Sequence, residues 1–123
     1  MSTQPIECLG HDPDWIMHLV RTQEANGRAV EILLDYTPVP APVIIARPEA
    51  VYVMVTAMDD LGQWLYERGG EVHVSPAFEG MRVWTLHTHT DAARDGSRVA
   101  IRVSVAVPDG EPVMHEIAAA VTR

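Results

Sequence analysis

The sequence MRVWTLHTHTDAARDGSRVAIRVSVAV, residues 81–107, decides the fold that we predict for this chain. Two runs of alternating apolar and polar residues flank Asp95-Gly96, a dipeptide typical of two-residue β-hairpin turns. A turn at this dipeptide sets the apolar residues of one strand opposite the apolar residues of the other, which favours an antiparallel hairpin with one buried face. The predicted pairs on that face are Trp84 with Val107, Leu86 with Val105 and Thr88 with Val103.

The histidines of this stretch fall on the opposite face of the predicted hairpin. The same register places His87 opposite Ser104 and His89 opposite Arg102. If the run EVHVS, residues 71–75, pairs with the first strand through the PAFEG loop, its Val72 and Val74 face the core, and the polar residues between them join the histidines. The candidate ligand-binding set on this face is His73, His87, His89, Arg98 and Arg102, with Glu71 beside it.

Three interpretations of this His/Arg face remain open from the sequence. His87 and His89 with His73 or Glu71 could ligate zinc or a redox metal, but the nearby arginines disfavour a cation. Arginines beside a histidine could instead hold a carboxylate or phosphate. The third interpretation is a face covered by solvent or by a second copy, which requires no ligand. We expect no metal and no cofactor.

The rest of the chain predicts helices and further strands. Residues 11–27, HDPDWIMHLVRTQEANG, predict a helix that begins at Asp12 and ends at Gly27, and residues 28–36, RAVEILLDY, alternate as a strand does. Residues 43–57 predict one or two strands broken near Arg47-Pro48, with the apolar run 51–55 a candidate for cover on both faces. Residues 56–70 and 111–122 predict two more helices. The stripe expected to be buried in the first helix comprises Trp15, Ile16, Leu19 and Val20.

These elements predict one α+β domain over residues 1–123. Short connections between the last strands favour a mainly antiparallel sheet of about four or five strands, with about three helices packed on one face. Residues 1–10 are expected to form a flexible or extended segment.

Composition and charge restrict the classes of function. Seventeen acidic residues against nine basic residues give a net charge of −8, which disfavours direct nucleic-acid binding. All the basic residues are arginine, so lysine Schiff-base chemistry and the phosphate-binding P-loop lysine are excluded. The single cysteine, the short apolar runs and the polar start MSTQPIE favour a cytoplasmic protein without a membrane segment.

A second constellation, Cys8, His11, Asp14 and His18, lies at the start of the first predicted helix. Its spacing could gather metal ligands, but acidic residues are also what a helix N-terminus favours, and no second Cys or His cluster completes a zinc finger. The chain has no G-x-S-x-G nucleophile motif and no glycine-rich loop that precedes a helix. The sequence therefore identifies no catalytic residue.

The leading functional hypothesis is a small non-catalytic binding or regulatory protein that acts through contact with a protein partner or through self-association as a homodimer. The first alternative is a small-molecule or anion-binding protein, or an enzyme, that uses the His/Arg face. The second alternative is an acidic inhibitor of a nucleic-acid-binding protein, although the acidic residues are dispersed along the chain.

Overall fold

Residues 13–122 are described by the computed structural model, and they form one five-stranded sheet with three helices. The order of the strands across the sheet is β1-β2-β5-β4-β3. Every neighbouring pair is antiparallel except β2 and β5, which are parallel, so the sheet is mixed. The α+β class is thereby confirmed. The elements in chain order are α1 (Pro13–Tyr36), β1 (Val43–Ala46), β2 (Val51–Met54), α2 (Met58–Arg68), β3 (Glu71–Val74), β4 (Met81–His89), β5 (Ala100–Pro108) and α3 (His115–Ala119).

All three helices lie on one face of the sheet, which we call the core face. α1 contacts β1 and β2, while α2 contacts β4, β5 and α3. Alternate residues of the central strands point toward these helices and are buried, as the period of a half-covered strand requires. None of the helices in residues 13–122 combines the length and apolar character needed to span a membrane. The most deeply buried side chains are Val30, Val51, Val53, Leu61, Trp64, Val72, Leu86, Ile101, Val103 and Ile117.

The β4–β5 hairpin has the predicted faces but a different register. Leu86 lies opposite Val103 and His87 opposite Arg102, so the predicted pairing of His89 with Arg102 is wrong. Every predicted pair is displaced by two residues. A shift of two residues keeps each side chain on the same face, because successive side chains alternate. Leu86 is therefore buried, as expected.

Two irregularities in the connecting loop cause the displacement. The Gly96 N–H donates to Ala93 O at 2.9 Å and the Ala93 N–H to Ser97 O at 2.8 Å, so three residues, not two, form the turn. Within this loop, only Gly96 has a positive φ, of 84°, whereas the predicted two-residue turn needs two such residues. The next hydrogen bond toward the sheet goes from the Thr90 N–H to Val99 O. Between this bond and the turn, the side of the loop that follows β4 has one residue more than the side that precedes β5, as in a β-bulge.

The prediction that Gly27 ends the first helix and that residues 28–36 form a strand is wrong. α1 continues to Tyr36. Val30 and Leu33, together with the half-buried Leu34, follow the i, i+3, i+4 spacing of a helix face, and tertiary packing of that face selects the helix. A Cβ at Gly27 would lie 3.3 Å from the Ala46 Cβ, so this glycine permits the close approach of α1 to β1.

The first half of α1 extends beyond the sheet, so the prediction that its apolar stripe is buried is also wrong. Trp15, Ile16 and Val20 are 47%, 52% and 41% exposed. Asn26 Nδ2 donates to the carbonyl oxygens of Arg47 and Pro48, which fixes the middle of α1 against the β1–β2 turn. Leu19, the fourth residue of the stripe, is half-buried.

The last helix is shorter than predicted because the chain after it closes one edge of the sheet. α3 ends at Ala119, and the Val72 N–H of β3 then donates to Ala120 O at 2.9 Å. The Thr122 N–H donates in turn to Val72 O at 2.8 Å. The outer edge of β3 is thus paired at Val72, whereas β1 has no strand on its outer edge in residues 13–122.

Truncation of Leu86 tests the facing of the hairpin. Leu86→Ala should lower the free energy of unfolding by on the order of 2–5 kcal/mol, because it leaves a cavity between the sheet and the helices. His87→Ala should cost well under half as much, since that side chain lies on the open face. Chemical denaturation of both variants measures the difference, and equal losses would contradict this facing.

Gly70 allows β3 to approach β4, which a second pair of variants can test. A Cβ at Gly70 would lie 2.3 Å from the His87 carbonyl oxygen, so Gly70→Ala must displace backbone. A Cβ at Gly69 would meet no atom within 4 Å, although its φ of 68° also disfavours other residues. Gly70→Ala should therefore lower the denaturation midpoint much further than Gly69→Ala, and similar midpoints would contradict the close approach.

Candidate functional site

The side of the sheet opposite the helices, which we call the outer face, has no helix packed on it in residues 13–122. Cross-strand pairing arranges its side chains in rows, and one row runs across all five strands. Neighbours in such a row have Cβ atoms about 4.5–5.5 Å apart. The members of the row are Ile45, Tyr52, Arg102, His87 and Glu71.

His73 and His87 are brought together on β3 and β4, as the sequence predicted. Their ring centroids are 4.0 Å apart and the planes are inclined by 44°. His73 Nε2 lies 3.8 Å from a Glu71 carboxylate oxygen, and the same oxygen accepts a hydrogen bond from the Thr122 hydroxyl at 3.2 Å. Glu71 therefore closes the β3 side of the cluster with a negative charge.

Arg102 lies on the β5 side of the cluster and has no acidic partner. The only hydrogen bond of its side chain within residues 13–122 goes from Nη1 to the carbonyl oxygen of Ile101, at 3.3 Å. No carboxylate oxygen of the described part of the chain is within 4.0 Å of the Arg102 guanidinium. A half-buried arginine in this state keeps donors available for an acceptor from another molecule.

His89 and Arg98 form a separate pair at the end of β4. Arg98 Nη1 donates to His89 Nε2 at 3.0 Å, and His89 Nδ1 donates to the Thr90 carbonyl oxygen at 3.0 Å. Both ring nitrogens of His89 are thus occupied, and this pair connects β4 with the loop that precedes β5. The predicted ligand-binding set therefore divides into His73, His87 and Arg102 together, and His89 with Arg98 apart from them.

The neighbours of His87 on the outer face shift its pKa. Partial burial lowers the pKa of His87 from its ordinary value of 6.5, and the positive charges of Arg102 and His73 lower it further. Glu71 opposes this shift. An anion bound between His87 and Arg102 would therefore favour the protonated imidazole.

A metal centre and a nucleophilic site receive no geometric support in the described residues. Within residues 13–122, no three His, Cys, Asp or Glu side chains are arranged to hold a metal ion. The hydroxyls of Thr85 and Ser104 hydrogen-bond each other at 3.1 Å. None of the hydrogen bonds in this part of the chain joins a serine or threonine hydroxyl to a histidine nitrogen.

The Cys8, His11, Asp14 and His18 constellation lies partly outside the described residues, because Cys8 and His11 precede residue 13. Asp14 and His18 lie on α1 with exposed side chains. The predicted segment at residues 1–10 also lies outside the described range.

One concave surface was not anticipated from the sequence. A groove of about 470 Å³ runs between the second half of α1 and the loop before β5, and Arg68 lines it. Arg68 Nη2 donates to Asp91 Oδ1 at 2.9 Å and to the His89 carbonyl oxygen at 3.0 Å. The groove contains no member of the predicted ligand-binding set. It was missed because residues 28–36 were interpreted as a strand, so no helix face was expected there.

Acidification should destabilise the protein through His87. The folded pKa of His87 lies below 6.5 and the unfolded pKa near it, so the unfolded state binds more protons in the interval between them. The stability that His87 contributes is present above pH 6.5 and is lost as the pH falls through this interval. Denaturation at pH 7.5 and pH 5.5 should show a smaller loss for His87→Gln than for the wild type.

The control for this experiment is His18→Gln, which changes an exposed histidine of α1 and should lose as much stability as the wild type. In addition, Arg102→Gln should raise the pKa of His87, measured by NMR titration, because it removes a positive neighbour. An unchanged pKa in that variant would contradict the proximity of the two side chains.

Comparison of the chain with protein-family models, with curated protein sequences and with solved structures finds no match.

Proposed function

We propose that this chain is a non-catalytic binding protein whose outer face contacts an acidic segment of a protein partner. The observation that carries the proposal is Arg102, a half-buried arginine in the middle of an uncovered sheet face, without a carboxylate within salt-bridge distance in residues 13–122. A guanidinium in this position can form a bidentate, charge-assisted contact with a carboxylate.

The surroundings of Arg102 suit a peptide segment better than a free anion. Val83 and Met81 on β4 are each 39% exposed on the same face, so apolar contact area lies beside the charged groups. Interfaces commonly combine such apolar area with a small number of polar anchors. The groove beside α1 is lined by none of Arg102, His87 and His73, so a small molecule would be better enclosed there than on this face.

The electrostatics favour an acidic partner at this face even though the whole chain has a net charge of −8. Arg102 is the permanent positive charge beside His87 and His73, and Glu71 is the only acidic member of their two rows. The charges close to the contact determine its electrostatic free energy, because charges beyond about 8–10 Å are largely screened at physiological ionic strength.

A peptide titration tests this proposal. The probe is a short capped peptide that alternates glutamate with leucine, followed by NMR of backbone amides at pH 6.5. Shifts should be confined to β3, β4 and β5 around Arg102. Arg102→Gln should weaken binding about tenfold, which is the loss expected for one charge-assisted hydrogen bond.

The matched control is Arg94→Gln, which removes an exposed arginine of the turn and should change binding less than twofold. A peptide with lysine in place of glutamate should bind more weakly than the probe. Equal binding of the two peptides, equal losses in the two variants, or shifts centred on the groove beside α1 would each contradict the proposal.

A further inference from the structure

We propose that two copies of this chain associate by antiparallel pairing of β1 with β1, which joins the two sheets into one continuous sheet. This inference concerns an edge of the sheet and does not depend on the binding function proposed for the outer face. It also differs from the self-association expected from the sequence, which relied on cover for residues 51–55 and for the outward residues of the hairpin.

The two edges of the sheet are not equivalent. The edge at β3 is paired through Val72 with residues 120–122, whereas β1 has no strand beyond it in residues 13–122. β1 has the sequence VIIA and contains no charged residue. Its Val43, Ile44 and Ile45 are 46%, 37% and 36% exposed, although they belong to both faces of the sheet. An uncharged apolar edge strand of this kind readily pairs with another strand.

Backbone geometry shows which groups of β1 are available. The Arg47 N–H donates to Ala50 O at 2.9 Å, and Ile45 is paired with Tyr52. Because hydrogen bonding alternates along an antiparallel ladder, Val43, Ile45 and Arg47 direct their backbone groups toward β2. The N–H and C=O groups of Ile44 and Ala46 consequently point away from the sheet.

Pro42, directly before β1, selects one register because it has no N–H. A two-fold axis at Ile45 sets Ile44 opposite Ala46 of the second copy. All outward N–H and C=O groups of Ile44 and Ala46 are then paired. An axis at Ile44 would set Ala46 opposite Pro42, which leaves the Ala46 carbonyl without a donor.

The two-fold axis is perpendicular to the sheet, so the helices of both copies lie on the same face of the joined sheet. α1 passes over the β1 edge near Ala46, where Gly27 permits close approach, and its second half continues toward the loop before β5. The first half of α1 therefore extends outward across the β1 edge. In the pair, it lies over β1 of the second copy, where Ile16 and Val20 can contact the exposed Ile44.

The spacing of the two α1 helices is compatible with this arrangement. In the proposed register, Ala46 of the two copies are about 7 Å apart along the strand direction, given a rise of about 3.4 Å per residue. The hydrogen bonds from Asn26 to the carbonyls of Arg47 and Pro48 displace each helix axis further from the two-fold axis. The two helix axes are therefore more than about 7 Å apart, which leaves room for the 8–10 Å separation at which helices pack side by side.

Light scattering on the full chain tests the proposal, with a mass of twice 13.6 kDa expected at micromolar concentration. Ile45→Lys sets two like charges against each other at the two-fold axis and should raise the dimer dissociation constant at least tenfold. The matched control is Met54→Lys, which adds the same charge to an exposed apolar position of the same face, one strand further in. Met54→Lys should leave the dimer intact.

Cross-linking gives a second readout that does not depend on stability. In a Cys8→Ser background, Ile45→Cys should form an intermolecular disulfide on oxidation, because residues opposed across a two-fold axis in this ladder have Cα atoms close enough for one. Met54→Cys should not cross-link. A monomer at every accessible concentration would overturn the proposal. Dimerisation lost in Met54→Lys but kept in Ile45→Lys would also overturn it and would indicate a face-to-face dimer.

Discussion

The structure depends on one constraint, the alternation of buried and open side chains along β4 and β5. Leu86, Val103 and Ile101 are fully buried against the helices, and a shift of either strand by one residue would replace them with histidine, serine or arginine. A buried cation without a partner is far more costly than a lost apolar contact. This difference in free energy makes the facing of the hairpin robust even though its loop is irregular, and it places His87 and Arg102 on the same open face.

The facing of the hairpin could be predicted from the sequence, and its register could not. The turn contains one residue more than predicted, and the bulge adds a second extra residue to the loop. The two differences together displace each cross-strand pair by two residues, which leaves every side chain on its predicted face. The pairing of His87 with Arg102 was missed for that reason, and so was the isolation of His89 with Arg98. Alternation is encoded in consecutive residues, whereas register depends on loop geometry that a dipeptide motif does not determine.

Residues 28–36 show a different limit of sequence interpretation. Val30, Ile32, Leu34 and Tyr36 fit the period of a strand, while Val30, Leu33 and Leu34 fit the period of a helix. The helix forms because that face packs on β1 and β2, which is a long-range contact. The parallel pairing of β2 with β5 likewise depends on how the chain crosses the sheet. The groove beside α1 could not be predicted from the sequence for the same reason, because it forms between α1 and the loop before β5.

Within residues 13–122, each face and edge of the sheet is covered or left open for a physical reason. The core face is covered by three helices, and the edge at β3 is paired through Val72. The outer face carries no helix of residues 13–122, because Arg102, His87 and Glu71 would be costly to bury. In residues 13–122 the β1 edge remains open because no other strand reaches it, and the N–H groups that it directs outward are those of Ile44 and Ala46. The outer face offers the side chains around Arg102 and the edge offers backbone groups, and Ile45 lies where the two surfaces meet, two strands away from Arg102.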